Sequence, residues 1–210
     1  MPTMDMPTPP PDSHAPTPPN ARRWLYVIAL IWLLLVAGLL WYSLRLPRQW
    51  FDPLQTQPHA FNDAARLQEF TAALATLQPD LKPGQPLFIR FRQADCRCEQ
   101  LVDAYHQLQT SLLQQQGYRV LTLEKNDLEQ LAKNQLPELF SWITATPAVM
   151  VVDGKGELAY FGPYHQEGVC NSENSYLEPV LQAVNAQQPV NIINTLVFGC
   201  FCATEQSGAN

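Results

Sequence analysis

The sequence lacks the basic clusters that nucleic-acid binding requires. Its 210 residues contain 13 Lys and Arg against 19 Asp and Glu, which gives a net charge of −6. The basic residues form no block anywhere along the chain. Because a protein that binds phosphate backbones needs a positively charged face, the composition argues against nucleic acid as a partner.

The N-terminal segment, residues 1–22, contains almost no large apolar side chains and is rich in proline. A segment of this kind cannot bury enough apolar surface to offset the entropy lost on ordering. We therefore predict that residues 1–22 form a disordered tail.

Charge is missing altogether from residues 24–44, WLYVIALIWLLLVAGLLWYSL. At about 1.5 Å per helical residue, such a run spans the roughly 30 Å hydrocarbon core of a bilayer. Trp and Tyr side chains lie at both of its ends, as at membrane interfaces. We predict a transmembrane helix over residues 23–44, with the lipid bilayer as a partner. A cleaved signal peptide is the alternative, but the run is long for one and no small-residue cleavage site follows it closely.

The remaining sequence predicts an α/β domain over residues 61–187, after a proline-containing linker at 45–60. Helical and extended patterns alternate along this domain, and a tight glycine-containing turn joins its last two strands. These patterns predict a mixed sheet flanked by helices. The predicted strands cover residues 86–92, 118–124, 148–152 and 157–161.

One of the predicted helices follows the segment FIRFRQADCRC. Leu101, Tyr105, Leu108 and Leu112 recur at helical spacing and predict its buried face. On this pattern His106 is expected at the surface.

Five cysteines follow the apolar run, two of them in a Cys-x-Cys pair directly after a predicted strand. Cys96 and Cys98 lie where a helix is expected to begin, and a helix N-terminus stabilises a thiolate. Arg97 lies between them and favours the charged form of the sulfur. We therefore expect Cys96 to be a nucleophilic thiol. The connectivity of five cysteines cannot be deduced from their spacing.

The order of elements around Cys96 and Cys98 resembles the thioredoxin-like fold, and Thr146–Pro147 falls where that superfamily has a cis-proline. More closely, the chain resembles an uncharacterised group of membrane-anchored bacterial thioredoxin-like proteins. This resemblance implies that Cys96, Cys98, Thr146 and Pro147 form a catalytic site for thiol–disulfide exchange without a cofactor. It also implies that Thr146 presents its backbone to a partner protein carrying an exchangeable disulfide.

The sequence departs from the superfamily pattern at two positions. The usual Cys-x-x-Cys is shortened to Cys-x-Cys, so a bridge between Cys96 and Cys98 would close a tighter ring. Arg90 replaces the buried acid usual in the central strand. We expect Arg90, like Arg97, to stabilise a thiolate, although it cannot accept the proton.

Three further thiols are auxiliary candidates. Cys170 lies in a loop and is interpreted either as a resolving thiol or as a partly buried loop cysteine, and nearby His165 is expected to be solvated. Cys200 and Cys202 form a second Cys-x-Cys in the C-terminal tail, residues 188–210. This tail folds back to bring its dithiol near Cys96, or its pair closes a bridge within itself, or it packs structurally.

Three functions remain open from the sequence. The favoured one is a membrane-anchored thiol–disulfide oxidoreductase acting on protein or small-molecule disulfides through Cys96 and Cys98. The second is a copper or zinc module with Cys96, Cys98, Cys200 and Cys202 as ligands, since thiolates suit soft metals. The third is a thioredoxin-like interaction domain without catalysis.

The flanking charges of the predicted helix do not decide its orientation, because two arginines lie on each side. Reactive cysteines suit an oxidising compartment or its reducing relays. We therefore expect a single-pass protein of the bacterial inner membrane with a periplasmic C-terminal domain. Its expected partners are a substrate or electron-donor protein with an exchangeable disulfide.

Overall fold

The computed structural model describes residues 19–45, 48–52, 60–165 and 175–204. The predicted disordered tail falls largely at residues 1–18, outside the described residues, and so do Cys170 and most of the predicted linker. The chain divides into two compact units, Met1–Arg45 and Leu46–Asn210.

The first unit contains one long helix, α1, over Pro19–Leu44. Its 22-residue segment Arg23–Leu44 is apolar and long enough to cross a bilayer, and none of it is buried. Large apolar side chains such as Leu25 and Leu39 are about two-thirds exposed. By length and composition this helix fits a membrane anchor or a signal sequence.

The second unit contains five helices and nine strands within its described residues. The helices, preceded by a 3-10 turn at Ala60–Asn62, are α2 (Ala64–Leu77), α3 (Glu99–Gln115), α4 (Lys125–Asn134), α5 (Leu139–Trp142) and α6 (Leu177–Asn185). The strands are β1 (Arg48–Trp50), β2 (Leu87–Arg92), β3 (Arg119–Glu124), β4 (Ala145–Thr146), β5 (Ala148–Val152), β6 (Leu158–Gly162), β7 (Ile192–Ile193), β8 (Phe198–Cys200) and β9 (Cys202–Ala203).

Five of the strands form one mixed sheet in the order β3-β2-β5-β6-β7. The central strand β2 runs parallel to β3 and antiparallel to β5. The β5–β6 hairpin turns at Asp153, whose side chain accepts hydrogen bonds from the backbone N–H groups of Lys155 and Glu157, both at 2.9 Å. Helices cover both faces of this sheet, so the predicted thioredoxin-like α/β fold is confirmed.

The alternation of side chains along β2 separates two hydrophobic cores. Ile89 and Phe91 point into the larger core, which contains residues of α2, α4 and α5. Phe88 points into the smaller core, which contains residues of α3 and α6. This two-faced pattern follows from the period of two along a strand.

The buried face of α3 differs from the predicted one. The described structure buries Val102, His106 and Leu113, whereas Leu108 and Leu112 are at least half exposed. The prediction that His106 lies at the surface is therefore wrong. The helix is rotated because its buried face also carries the carboxylate partners of Arg90, which are described below.

The C-terminal tail contributes strands at three places. The strand β7 extends the main sheet by pairing in parallel with β6. The strand β8 pairs antiparallel with β1, and β9 pairs antiparallel with β4. Residues 192–203 are thus built into the second unit through backbone hydrogen bonds.

Candidate active site

Cys96 and Cys98 lie in a turn between β2 and α3. The N–H of Cys96 donates to Gln93 O at 3.0 Å, and the N–H of Glu99 donates to Cys96 O at 3.1 Å. The helix itself begins at Glu99, with Cys98 as its N-cap residue. Cys96 therefore lies in the turn that leads into the helix, three residues before its first residue. Both cysteines are buried.

The cis-proline segment lies directly beside Cys96. The peptide bond Thr146–Pro147 is cis, and Thr146 is the last residue of β4. The sulfur of Cys96 lies 3.8 Å from the carbonyl oxygen of Thr146. The fold thus brings together the cysteine pair and the Thr-Pro pair, which are 50 residues apart in sequence.

The two Cys-x-Cys pairs are joined to each other by disulfides. Cys96 is bonded to Cys202, and Cys98 to Cys200. The Cα atoms are 5.8 Å and 5.4 Å apart, within the usual range of about 4.4–6.8 Å. A bridge between Cys96 and Cys98, and a tail pair closed on itself, are both contradicted. The tail instead folds back onto the first pair, which is one of the alternatives open from the sequence.

Strand pairing on both sides holds a central part of the tail, here called the tail segment (residues 197–204). On one side Thr146 is opposite Cys202 in the β4–β9 pair. On the other side Arg48 is opposite Cys200 in the β1–β8 pair. The N–H of Thr204 also donates to Thr144 O at 3.0 Å.

The residue between the two tail cysteines points away from the disulfides. Phe201 is buried in the larger core, and its ring centroid lies 5.3 Å from that of Phe51 in an edge-to-face contact. A Cβ at Gly199 would lie 3.1 Å from the Phe201 ring. Because side chains alternate along an extended chain, Cys200 and Cys202 face the cysteine turn while Phe201 faces the core.

Arg90 makes a different contact from the one expected. Its Nη2 lies 2.6 Å from Glu99 Oε2 and 2.6 Å from Asp103 Oδ1. Arg90 and Glu99 are both buried, so this is a charge pair shielded from water. The described contacts engage Arg90 with two carboxylates of α3.

Glu99 is the residue that follows the second cysteine of the turn. Burial raises the pKa of its carboxyl, while the hydrogen bond and charge of Arg90 act in the opposite direction. Its Oε1 also accepts a hydrogen bond from the backbone N–H of Gln93 at 3.2 Å. Glu99 therefore ties the turn to the start of α3. Arg97 is exposed between the two cysteines, and its predicted effect on a thiolate stays a prediction.

His106 is buried, and His165 is half-buried with both ring nitrogens out of contact with solvent. Burial lowers the pKa of His106 to about 4, and its Nδ1 lies 3.2 Å from the hydroxyl of Tyr164. Burial also lowers the pKa of His165 to about 4. The expectation that His165 is a solvated loop residue is therefore wrong.

The sulfurs are also close enough to form a metal site after reduction. Those of Cys96, Cys98 and Cys202 all lie within 4.8 Å of one another, and Cys200 is bonded to Cys98. A disulfide sulfur is not a thiolate ligand, so the oxidised state described here does not offer this donor set. Four thiolates would match the all-cysteine ligand set of structural zinc sites.

Two parts of the site were missed from the sequence. The first is Phe201, whose burial was signalled by the alternation Cys-Phe-Cys in an apolar tail. The second is the pairing of Arg90 with α3, for which Glu99 and Asp103 at helical spacing were the available signal.

Comparison with known proteins gives a family and distant structural likenesses. Residues 66–204 match the family described as Domain of unknown function (DUF6436). This match includes all four bridged cysteines and begins after α1. No curated protein matches the chain.

Solved structures are similar to the chain at low identity. An uncharacterised conserved protein from Geobacillus kaustophilus is 14% identical, with a TM-score of 0.46 over 63% of this chain and 83% of that one. A provisionally assigned thiol:disulfide interchange protein DsbE from Chlorobium tepidum is 14% identical, with a TM-score of 0.37 over 49% and 82%. An uncharacterised thioredoxin-like protein from Porphyromonas gingivalis is 17% identical, with a TM-score of 0.31 over 50% and 76%.

Proposed function

The chain belongs to the DUF6436 family, and we propose that it is a membrane-anchored thiol–disulfide oxidoreductase acting through Cys96 and Cys98. The observation that carries the proposal is the Cys96–Cys202 disulfide. Cys202 lies in the extended strand β9, opposite Thr146 of β4 and beside the cis-proline Pro147. A disulfide held between a turn cysteine and a paired strand has the arrangement of a thiol–disulfide exchange intermediate.

The exchange needs a partner dithiol, and its electrons balance in two steps. A partner thiolate attacks one sulfur of a protein disulfide, the S–S bond breaks, and the released cysteine leaves as a thiolate. The second partner thiolate then attacks the mixed disulfide and releases the other protein sulfur. In sum, the protein disulfide gains two electrons and two protons, and the partner dithiol becomes a disulfide. The same steps in reverse reduce a partner disulfide.

The four bridged cysteines give the protein an internal exchange partner. Cys200 and Cys202 are each less buried than the turn cysteine bonded to them. An incoming thiolate therefore reaches the tail sulfurs more readily, and attack there releases Cys96 or Cys98. On this proposal the tail dithiol exchanges with the external donor, and the turn dithiol exchanges with the substrate.

A reaction of the reduced full-length protein in detergent with a fluorescent disulfide peptide tests the activity. We expect Cys96→Ser to lower the rate of peptide reduction at least ~100-fold, because the thiolate is the attacking group. Cys170→Ser is the matched removal of a thiol outside the two bridges. If Cys96→Ser keeps the parental rate, the enzyme proposal is wrong and a non-catalytic interaction domain becomes the better explanation.

For location, we propose that α1 anchors the protein in the bacterial inner membrane with the second unit in the periplasm. Disulfides persist in that compartment, whereas cytoplasmic thiols are kept reduced. A C-terminal alkaline phosphatase fusion should be active, and the intact mass should include residues 23–44. An inactive fusion would reverse the orientation, and a mature protein that begins after residue 44 would make α1 a signal sequence.

A soft-metal site is the second candidate, favoured by the convergence of sulfurs within 4.8 Å. Reduction would free three converging thiolates, those of Cys96, Cys98 and Cys202, and Cys200 would supply the fourth ligand of a set that suits Zn(II) or Cu(I). The anaerobically reduced protein, titrated with Co(II), should then develop the spectrum of a tetrahedral thiolate complex at one equivalent. A spectrum unchanged from that of the Cys200→Ser/Cys202→Ser variant would remove this candidate.

A further inference from the structure

The short strand β4 presents a backbone edge that an extended peptide segment can pair with. In the part of the chain that the structure describes, its strand partner is β9, through Ala145↔Ala203 and Thr146↔Cys202. A strand edge left without its partner readily pairs with another extended chain. Whatever lies along this edge places one residue opposite Thr146, next to the sulfur of Cys96.

The residue before that position has its own buried site. In the tail segment this residue is Phe201, which is 3% exposed and lies against the ring of Phe51. The backbone of Phe51 also donates to Val197 O at 2.8 Å. The same surface therefore recognises both the backbone of the tail segment and its aromatic side chain.

The tail segment and an external peptide cannot occupy this edge together. While Cys96 is bonded to Cys202, it is not a thiolate and cannot attack another disulfide. Reduction of this bond and of Cys98–Cys200 by two dithiol partners yields four thiols on the protein and one disulfide on each partner. Only then can the tail segment leave, since strands of two and three residues contribute few hydrogen bonds without the covalent link.

We propose that the tail segment is a built-in occupant of a peptide site, and that this site takes an extended partner segment in which an aromatic residue precedes the reacting cysteine. This inference rests on the proposed oxidoreductase function and names the substrate class of the same site. Phe201 and Cys202 give the template: the aromatic side chain enters the core beside Phe51, and the next residue meets Cys96.

Two matched peptides test the selectivity. Gly-Phe-Cys-Ala and Gly-Ala-Cys-Ala are each prepared as a mixed disulfide with thionitrobenzoate. The full-length protein in detergent carries Cys96 as its single cysteine, with Cys98, Cys170, Cys200 and Cys202 replaced by serine. The Cys96 thiolate attacks the peptide sulfur, the peptide–thionitrobenzoate bond breaks, and the coloured thiolate leaves with the electron pair. We expect the Phe-Cys peptide to react at least ~10-fold faster, because only its aromatic side chain is removed from water.

Replacement of the built-in aromatic side chain supplies the internal control. In the same single-cysteine background, Phe201→Ala should raise the rates with both peptides, because it weakens the segment that occupies the edge both must use, and the Phe-Cys peptide should remain the faster of the two. If both peptides react equally fast, and faster than free cysteine, the oxidoreductase proposal stands and the aromatic selectivity is wrong. If neither reacts faster than free cysteine, the proposed function itself fails.

A measurement on the unmodified sequence avoids dependence on the folding of the variant. Amide hydrogen exchange of the wild-type full-length protein is compared before and after anaerobic reduction. We expect reduction to raise exchange in residues 197–204 and at Ala145–Thr146. A Phe-Cys peptide with a methylated sulfur should then restore protection at Ala145–Thr146 and leave residues 197–204 exposed. A tail segment that stays protected after reduction would overturn the inference.

Discussion

The two disulfides are nested, and we predict that their contributions to stability depend on each other. Cys96–Cys202 and Cys98–Cys200 join residues separated by 106 and 102 positions. Whichever bond is present alone closes a long loop of the unfolded chain. The other bond then closes only the small ring that contains the two Cys-x-Cys segments.

The chain-entropy relation gives the size of each term. A loop of about 100 residues corresponds to about 4.7 kcal/mol, and a ring of about six residues to about 2 kcal/mol. Oxidation of the wild-type protein should therefore raise the free energy of unfolding by about 7 kcal/mol. A variant that keeps either bond alone should retain about 4.7 kcal/mol of this difference, well over half.

Urea unfolding of the full-length protein in detergent, followed by pulse proteolysis, measures these differences. The wild type is compared with Cys96→Ala/Cys202→Ala, with Cys98→Ala/Cys200→Ala, and with the variant that lacks all four cysteines. Each protein is measured with and without reductant, so the effect of side-chain packing cancels. If oxidation stabilises each two-cysteine variant by only about half as much as the wild type, the nested arrangement is refuted. It is also refuted if oxidation stabilises the wild type only slightly, because bridges within each Cys-x-Cys would have that effect.

Three other substitutions test the surroundings of the site. Arg90→Met should lower the free energy of unfolding by about 3–5 kcal/mol, because it leaves a buried carboxylate unpaired. Arg92→Met removes a partly exposed ion pair and should lower it by less than about 1 kcal/mol, so equal losses would contradict the buried pair. Burial lowers the pKa of His106 from its ordinary value of 6.5 to about 4, so the unfolded state takes up the proton first. The free energy of unfolding should therefore fall as the pH drops from 6.5 to about 4. His106→Leu should make the urea midpoint less dependent on pH in this range, and an unchanged dependence would contradict the buried position of this histidine. Gly162 has φ +151°, and a Cβ there would collide with the carbonyl oxygen of Asn194. Gly162→Ala should therefore lower the free energy of unfolding, measured with urea, by more than about 1 kcal/mol. An unchanged free energy would show that β7 is not fixed against β6.

The fold was predictable because its signals are local. The central strand alternates apolar residues that enter two different cores, and this pattern is visible in the sequence of residues 87–92. Turn residues such as those at Asp153 and Gly156 mark the β5–β6 hairpin. Such signals depend on neighbours along the chain, so they survive without knowledge of the tertiary contacts.

The buried face of α3 was predicted wrongly because a non-local charge decides it. The apolar residues Leu101, Leu108 and Leu112 suggested one face, but Arg90 on β2 needs carboxylate partners when buried. An unpaired buried charge is far more costly than an exposed leucine. The helix therefore presents Glu99 and Asp103 to the sheet, and His106 follows them into the interior.

The spacing of both cysteine pairs has a geometric reason that becomes clear from the tail. In an extended segment, residues two apart point to the same side, so Cys-x-Cys directs both tail sulfurs toward the turn while Phe201 enters the core. A Cys-x-x-Cys tail would send its second sulfur to the opposite face. The turn cysteines match this spacing in reverse order, since the earlier one bonds to the later tail residue. The shortened Cys-x-Cys motif thus suits disulfides to a second, extended segment of the chain better than a disulfide within the motif. For this reason we include the tail in the proposed reaction.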